Sequence, residues 1–204
     1  MAGRFTADYL GDKLALDEKT RDVVRFGAEN LFLGAAGLAA IGMVAWLLRC
    51  LPETLLLTGV VIVTRSFAGG AHLGGPLRCT AFTALIFPAL GAAARLIAGI
   101  GTLVPVFCAA ATLVSLVGVL LLAPADSTAK PIRTPAHRRR LKKLAGCAVL
   151  GAAVLQACLL AGGSSARPLA AAAGTGLLWQ FFVLTRAGHA VMRAIDRVVD
   201  ARTG

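Results

Sequence analysis

Apolar and polar positions along this chain segregate into long blocks instead of alternating. Uncharged apolar runs cover Leu31 to Leu48, Thr80 to Ala94, about Leu103 to Ala123, about Leu144 to Ala161, and Pro168 to Thr185. A helix needs about 20 predominantly apolar residues to cross a bilayer, so each run predicts a spanning helix with modest help from its flanks. A further run, Leu55 to Val63, is closed by Arg65 and reaches only about 14 Å as a helix. It either extends through Thr54 on one side and Phe67 to Ala71 on the other, or it is re-entrant. Backbone that is not helical at that depth is tolerated only where protein or a water-filled cavity covers it. Pro88 predicts a kink within its run. Tight turns are expected at Arg95 with Gly99 to Gly101, and at Gly162 to Arg167. The expected fold is an all-α integral membrane protein of about six transmembrane or half-spanning helices with a Gly-rich broken segment.

The polar blocks give this frame an orientation. Thr6 to Arg25 mixes charge with Leu10, Leu14, Val23 and Val24 and predicts one or two short surface helices. It holds five acidic residues and no apolar core, so no cleavable signal peptide is expected. One long polar loop, Pro124 to Lys143, carries Lys130, Arg133, Arg138, Arg139, Arg140, Lys142 and Lys143 against a single Asp126. In the tail, Val191, Met192, Ile195, Val198 and Val199 recur at spacings of three and four with Arg193 and Arg197 opposite, an amphipathic helix. Six spans with both termini in the cytoplasm put 18 of the 21 basic residues on the inner side, leaving Arg49, Arg95 and Arg167 outside. The positive-inside rule favours that arrangement. It places Arg65 to Cys79 at the cytoplasmic face of a multi-pass cell-membrane protein. The chain then reads as one membrane domain: an amphipathic segment over 1–28, a helical bundle over 29–185, and a basic tail over 186–204.

Composition narrows the function class. The chain is 57% hydrophobic and 15% charged, yet carries a net charge of +11. Soluble domains run at roughly 25% charged residues. Nucleic-acid binders need a wet basic face with aromatics or a reading helix, and aromatics here are 6%. No nucleic-acid partner is expected; membrane lipids are. The five cysteines (Cys50, Cys79, Cys108, Cys147 and Cys158) are widely spaced, with no CxxC and no Cys/His cluster, so neither a disulfide framework nor a metal site is expected. A Cys in an apolar run reads as a small buried hydrophobe.

Residues Arg65 to Cys79 break the apolar pattern. They place Arg65, His72, Arg78 and Cys79 among small residues at the mouth of two apolar runs, and ionisable groups at membrane depth are functional-site candidates. On one continuous helix His72 and Cys79 would share a face about 10 Å apart along the axis, too far for direct proton transfer. Gly74, Gly75 and Pro76 lie between them and let the chain fold back. A Cys beside a His is a nucleophile and base pair: the imidazole takes the thiol proton and can return it to a leaving amine. Arg65 and Arg78 add positive charge to the same segment. Gly69 and Gly70 allow close backbone approach, by a substrate peptide or by a neighbouring helix. The plainer alternative is a Gly-rich turn between spans with a buried Cys. His137 and His189 read as solvated.

The string Arg65-Ser66-Phe67-Ala68-Gly69-Gly70-Ala71-His72, followed after six residues by Cys79, resembles the accessory gene regulator B family, membrane cysteine endopeptidases of peptide quorum sensing. Phe26-Gly27-Ala28-Glu29 resembles the family's aromatic-Gly-x-Glu. Pro124-Ala125-Asp126 with Lys130-Pro131-Ile132 resembles its central loop. The resemblance covers roughly Thr6 to Gln180. It implies a short amphipathic propeptide substrate of the AgrD type on the inner leaflet, cut by Cys79 with His72 as base and then acid. It also implies Glu29 and Lys130 as supporting residues, a tendency to homodimerise, and no cofactor. An internal Cys or Ser of the propeptide would then capture the Cys79 thioester to form a cyclic autoinducing peptide. The loop between His72 and Cys79 is richer in Gly and Pro than the family pattern, and most of its loop lysines are arginines here.

Two other readings stand beside this one. A broken, Gly-rich half-helix between spans is also a feature of transporter binding sites, so a non-enzymatic transporter or peptide export channel is the alternative. A membrane scaffold is the third. A transporter would survive replacement of Cys79 by Ala, and a scaffold would survive loss of His72.

Overall fold

A computed structural model of the chain describes residues 17–125 and 134–203, together with Lys13. Seven α-helices account for most of them: α1 (Glu18–Leu47), α2 (Leu51–Ala68), α3 (Pro76–Gly99), α4 (Val104–Leu122), α5 (Pro135–Ala161), α6 (Arg167–Leu184) and α7 (Arg186–Thr203). Short 3-10 turns, Gly101–Leu103 and Ser164–Ala166, precede α4 and α6, and no strand occurs among the described residues. The protein is thus all-α. Five helices, α1 to α5, are long and apolar enough to cross a membrane. The pair α6 and α7, bent by 79° at their junction, makes a sixth if counted as one span.

The short second run is long enough as a helix to cross a membrane. It extends in both directions into an 18-residue helix, α2, with Pro52 in its first turn and Glu53 at the positive end of its dipole. Two other boundaries moved. α1 runs unbroken from Glu18 through position 28 into the first span, so no turn separates the amphipathic residues after Asp17 from the bundle. The predicted surface helix before Asp17 lies largely outside the described residues. The basic run Arg138 to Lys143 belongs to α5 and not to a loop, because the Thr134 side chain accepts the His137 N–H and Pro135 opens the helix. Pro88 sits inside α3 without ending it.

α6 is the centre of the bundle and packs on α2, α3, α4 and α5. Every residue from Ala170 to Leu177 is buried. Lipid tails are as apolar as leucine, so hydrophobicity alone does not select the central helix in a membrane. Small side chains do, by letting backbones approach. Gly174 lies against Phe107 and Ala111, and Gly176 against the backbone of Leu57. The same argument corrects the reading of the cysteines. Cys50 and Cys108 are buried, but Cys147 and Cys158 are exposed on the outside of the bundle, since lipid accepts an apolar side chain as readily as a core does.

The predicted outside cations cluster at one end of the bundle. Arg95 bonds the Arg49 carbonyl and pairs with Glu53 at 3.5 Å, and the Arg167 guanidinium lies beside Gly101. The opposite end holds the α2–α3 connection, the chain at Ala125, and α7.

Candidate active site

The α2–α3 connection, residues 69–75, has no regular secondary structure. α2 stops at Ala68 because Gly69 takes φ +72°, and Gly70 follows at φ +137°. L side chains rarely adopt such values. A Cβ at Gly69 would also collide with the Ala125 carbonyl, and one at Gly70 would press on Val183. Paired glycines are therefore required twice over, for conformation and for clearance. The reversal uses these two; Gly75 is extended, at φ −165°, and simply precedes Pro76 at the start of α3.

An irregular strand of backbone at this depth must find partners for its polar groups. Each comes from far away in sequence or from the segment itself. The Ala68 carbonyl accepts the Ala125 N–H at 2.9 Å. The Gly69 carbonyl accepts Gln180 Nε2 at 2.8 Å. The Ala71 N–H donates to the Val183 carbonyl at 2.9 Å, and the Ala71 carbonyl accepts from Arg65. The Gly74 N–H donates to both oxygens of Asp196, at 2.9 and 2.8 Å. Gln180 and Asp196 went unrecognised in the sequence, where each is an isolated polar residue on an apolar or mixed helix.

This scaffold brings Arg65, His72 and Cys79 onto the wall of one cavity of about 510 Å³. The remaining wall is mostly apolar, with Asn30 and three threonines (Thr58, Thr80 and Thr83) set into it: α1 lends a small-residue face with Gly34, Ala35 and Gly37, α3 lends Phe82 and Phe87, and α6 lends Trp179. The Trp179 ring lies 5.6–6.2 Å from three phenyl rings, tilted against Phe82 and Phe182 and edge-on to Phe87. It too was missed, as one apolar residue in an apolar run. Cys79 stands in the first turn of α3, its N–H bonded to the Gly75 carbonyl, near the positive end of the helix dipole. His72 lies in the irregular connection and Cys79 in α3, so the two do not share one continuous helix.

Arg65 Nη2 lies 3.1 Å from His72 Nδ1. A guanidinium only donates, so Nδ1 accepts and a neutral ring carries its hydrogen on Nε2. Burial, and then the Arg65 charge, hold the His72 pKa below its ordinary value of 6.5. Arg65 lines the same cavity as His72 and Cys79, which puts a cation beside both.

The other sequence candidates fall elsewhere. Arg78 points to α7, pairing with Asp200 at 2.6 Å and Asp196 at 3.7 Å. Glu29 is exposed and does not line the cavity; its neighbour Asn30 does. Lys130 lies outside the described residues. His137 is exposed as expected, whereas His189 is half-buried, its Nδ1 bonded to the Thr185 carbonyl.

The family model for accessory gene regulator B matches residues 4–184. The chain belongs to the accessory gene regulator B family. It is similar to a Clostridium perfringens (strain 13 / Type A) protein described as AgrB-like, 24% identical over 208 residues that cover 95% of this chain and 94% of the relative. No solved structure matches. Membership places this multi-pass membrane protein in accessory gene regulation, the processing of quorum-sensing peptides, and implies a propeptide substrate of the AgrD type.

Proposed function

We propose that this accessory gene regulator B protein is a membrane-embedded cysteine endopeptidase whose nucleophile is Cys79, working from the cytoplasmic face. The observation that carries this reading is the convergence of Arg65, His72 and Cys79 on one largely apolar cavity at the broken α2–α3 segment. A thiol, a neutral imidazole and a cation beside an apolar groove suit acyl transfer from a peptide with apolar residues next to the scissile bond.

The cycle balances as follows. His72 accepts the Cys79 proton at Nδ1 as Arg65 turns from that nitrogen to offset the thiolate charge. The sulfur attacks the scissile carbonyl carbon. The tetrahedral adduct collapses, the C–N bond breaks, and imidazolium returns the proton to the leaving amine. The N-terminal part of the propeptide remains as a thioester on Cys79. An internal Cys or Ser of that part then attacks the thioester, closing a thiolactone or lactone and regenerating the Cys79 thiol. Thioester and thiolactone are close in energy, so removal of the product drives the exchange.

The test is coexpression with a short propeptide bearing an amphipathic helix, an internal Cys or Ser, and an acidic tail. Cleavage by the wild-type protein should fall on the order of 10⁴-fold in Cys79→Ala. Undiminished processing by that variant sinks the assignment and favours a transport role.

A further inference from the structure

The family match ends at residue 184, and α7 begins at Arg186. This last helix nevertheless reaches the candidate site. Its path is set at the junction: Thr185 Oγ1 donates to the Phe182 carbonyl at 2.7 Å and accepts the Gly188 N–H at 3.1 Å. A Cβ at Gly188 would collide with the Phe182 and Val183 backbone. The helix therefore leaves α6 at a fixed bend of 79° and lies across residues 71–78.

Its inward face carries two kinds of attachment. Met192, 4% exposed, packs with Ala71, Leu73 and Val183 and forms part of the cavity wall. One turn on, Asp196 holds the Gly74 N–H with both carboxylate oxygens and lies against Arg78, the residue before Cys79. Asp196 is 19% exposed and Asp200 64%, so water screens the Asp200 pair more than the Asp196 one. A charge-assisted bond to backbone is stronger than a neutral one, and here it lands two residues after His72, in the stretch that leads to Cys79.

We propose that α7 clamps the catalytic segment and that Asp196 is a positioning residue, fixing the stretch from His72 to Cys79 through the Gly74 amide and Arg78. The proposal rests on the reading of Cys79 and His72 as the reacting pair. It adds a device from residues beyond the family match: an amphipathic helix that seats the loop between nucleophile and base.

The test uses the full chain in phospholipid nanodiscs. Amide hydrogen exchange over 69–79 needs no substrate. Asp196→Ala should speed exchange at Gly74 by about tenfold or more while α1 to α5 keep their protection. With the propeptide, kcat should fall by a similar factor at unchanged KM, and Asp196→Glu should restore part of both. Should Asp196→Ala lose protection throughout, Asp196→Asn keeps size and one acceptor oxygen, and should still raise Gly74 exchange about threefold. Unchanged exchange overturns the clamp. So does faster exchange with undiminished processing. Cys79→Ala separates the two ideas: its Gly74 exchange should match wild type, and processing that survives it removes the protease reading without touching the exchange result.

Discussion

The two ends of the bundle solve the same problem in opposite ways. At the end bearing Arg49, Glu53 and Arg95, helices meet through short turns, and partners for loose groups come mainly from close in the fold: the Cys50 N–H bonds Ala45, the Thr54 N–H bonds Cys50, and Arg95 reaches the Arg49 carbonyl. At the other end α2 and α3 are separated by seven residues of irregular backbone, bonded by groups from Ala125, Gln180, Val183 and Asp196. The first end keeps its connections short, and turns them on Arg49 at φ +56°, Gly101 at φ +43° and Gly163 at φ +93°. The second end spends two left-handed glycines, a buried amide and a helix outside the family match to hold a loop in place. The proposed chemistry gives that loop a purpose: it carries His72 between Arg65 on α2 and Cys79 on α3.

Glycine replacement should break that contrast most sharply. Gly70→Ala meets both a φ of +137° and the Val183 contact, a strain of about 1–3 kcal/mol placed between Arg65 and His72. Processing should drop at least about a hundredfold, as expected when a reacting group is misplaced by about 1 Å. Gly75→Ala in the same connection and Gly99→Ala at the far end meet no atom within 4 Å and have no left-handed φ, and should retain processing within about threefold. Equal losses from Gly70→Ala and Gly99→Ala, measured at matched membrane levels, would show that the two ends are not specialised.

The electrostatics of the irregular end supply a subtler contrast. Protonated His72 cannot take the thiol proton, so processing falls as pH drops through the His72 value. Burial and Arg65 both disfavour the imidazolium, which puts the acid limb of the kcat/KM profile below pH 6.5. Arg65→Gln removes the second contribution and leaves the first. Its limb should move up toward 6.5 while its overall rate also falls. A limb at or above 6.5 in the wild type, or one that ignores Arg65→Gln, contradicts the assigned environment of His72.

Much of this was legible in the sequence, and the divide follows the range of the interactions. Spans read well because hydropathy is local, and Arg65, His72 and Cys79 stood out because polar groups are conspicuous in apolar runs. The partners of the loop did not stand out. Gln180 and Asp196 are 111 and 122 residues from the carbonyl and amide they serve, and only a fold brings them there. Arg78 was read with the catalytic cations, but its charge is turned toward α7. Trp179 and the exposed Cys147 and Cys158 were opaque for a different reason. In a bilayer a core-facing and a lipid-facing apolar residue look alike in sequence. The best clue to the central helix was the Ala/Gly density of Ala170 to Gly176, not its hydrophobicity.

The smallest expected effect belongs to the quiet end, and it is the one that makes the comparison a real test. Glu53 is buried, with one oxygen facing Arg95 at 3.5 Å and the other without a hydrogen-bond partner among the described residues. By the usual argument, a buried ionisable residue at membrane depth is a functional candidate, so Glu53 competes with His72 and Cys79 for that role. Its surroundings argue otherwise. Its partner Arg95 is 48% exposed, which limits the pair to roughly 0–1 kcal/mol. The thiol at this end, Cys50, is buried with its Sγ against Thr54 Oγ1 and the Pro88 carbonyl, and the cavity that holds Cys79 does not include Glu53. Glu53→Gln keeps the shape and removes the charge. It should lower thermal stability in detergent by a few degrees at most and leave processing within about twofold. A well-folded Glu53→Gln protein that no longer processes propeptide would mean that the far end takes part in the reaction, and that the cavity at Cys79 is only half of the machine.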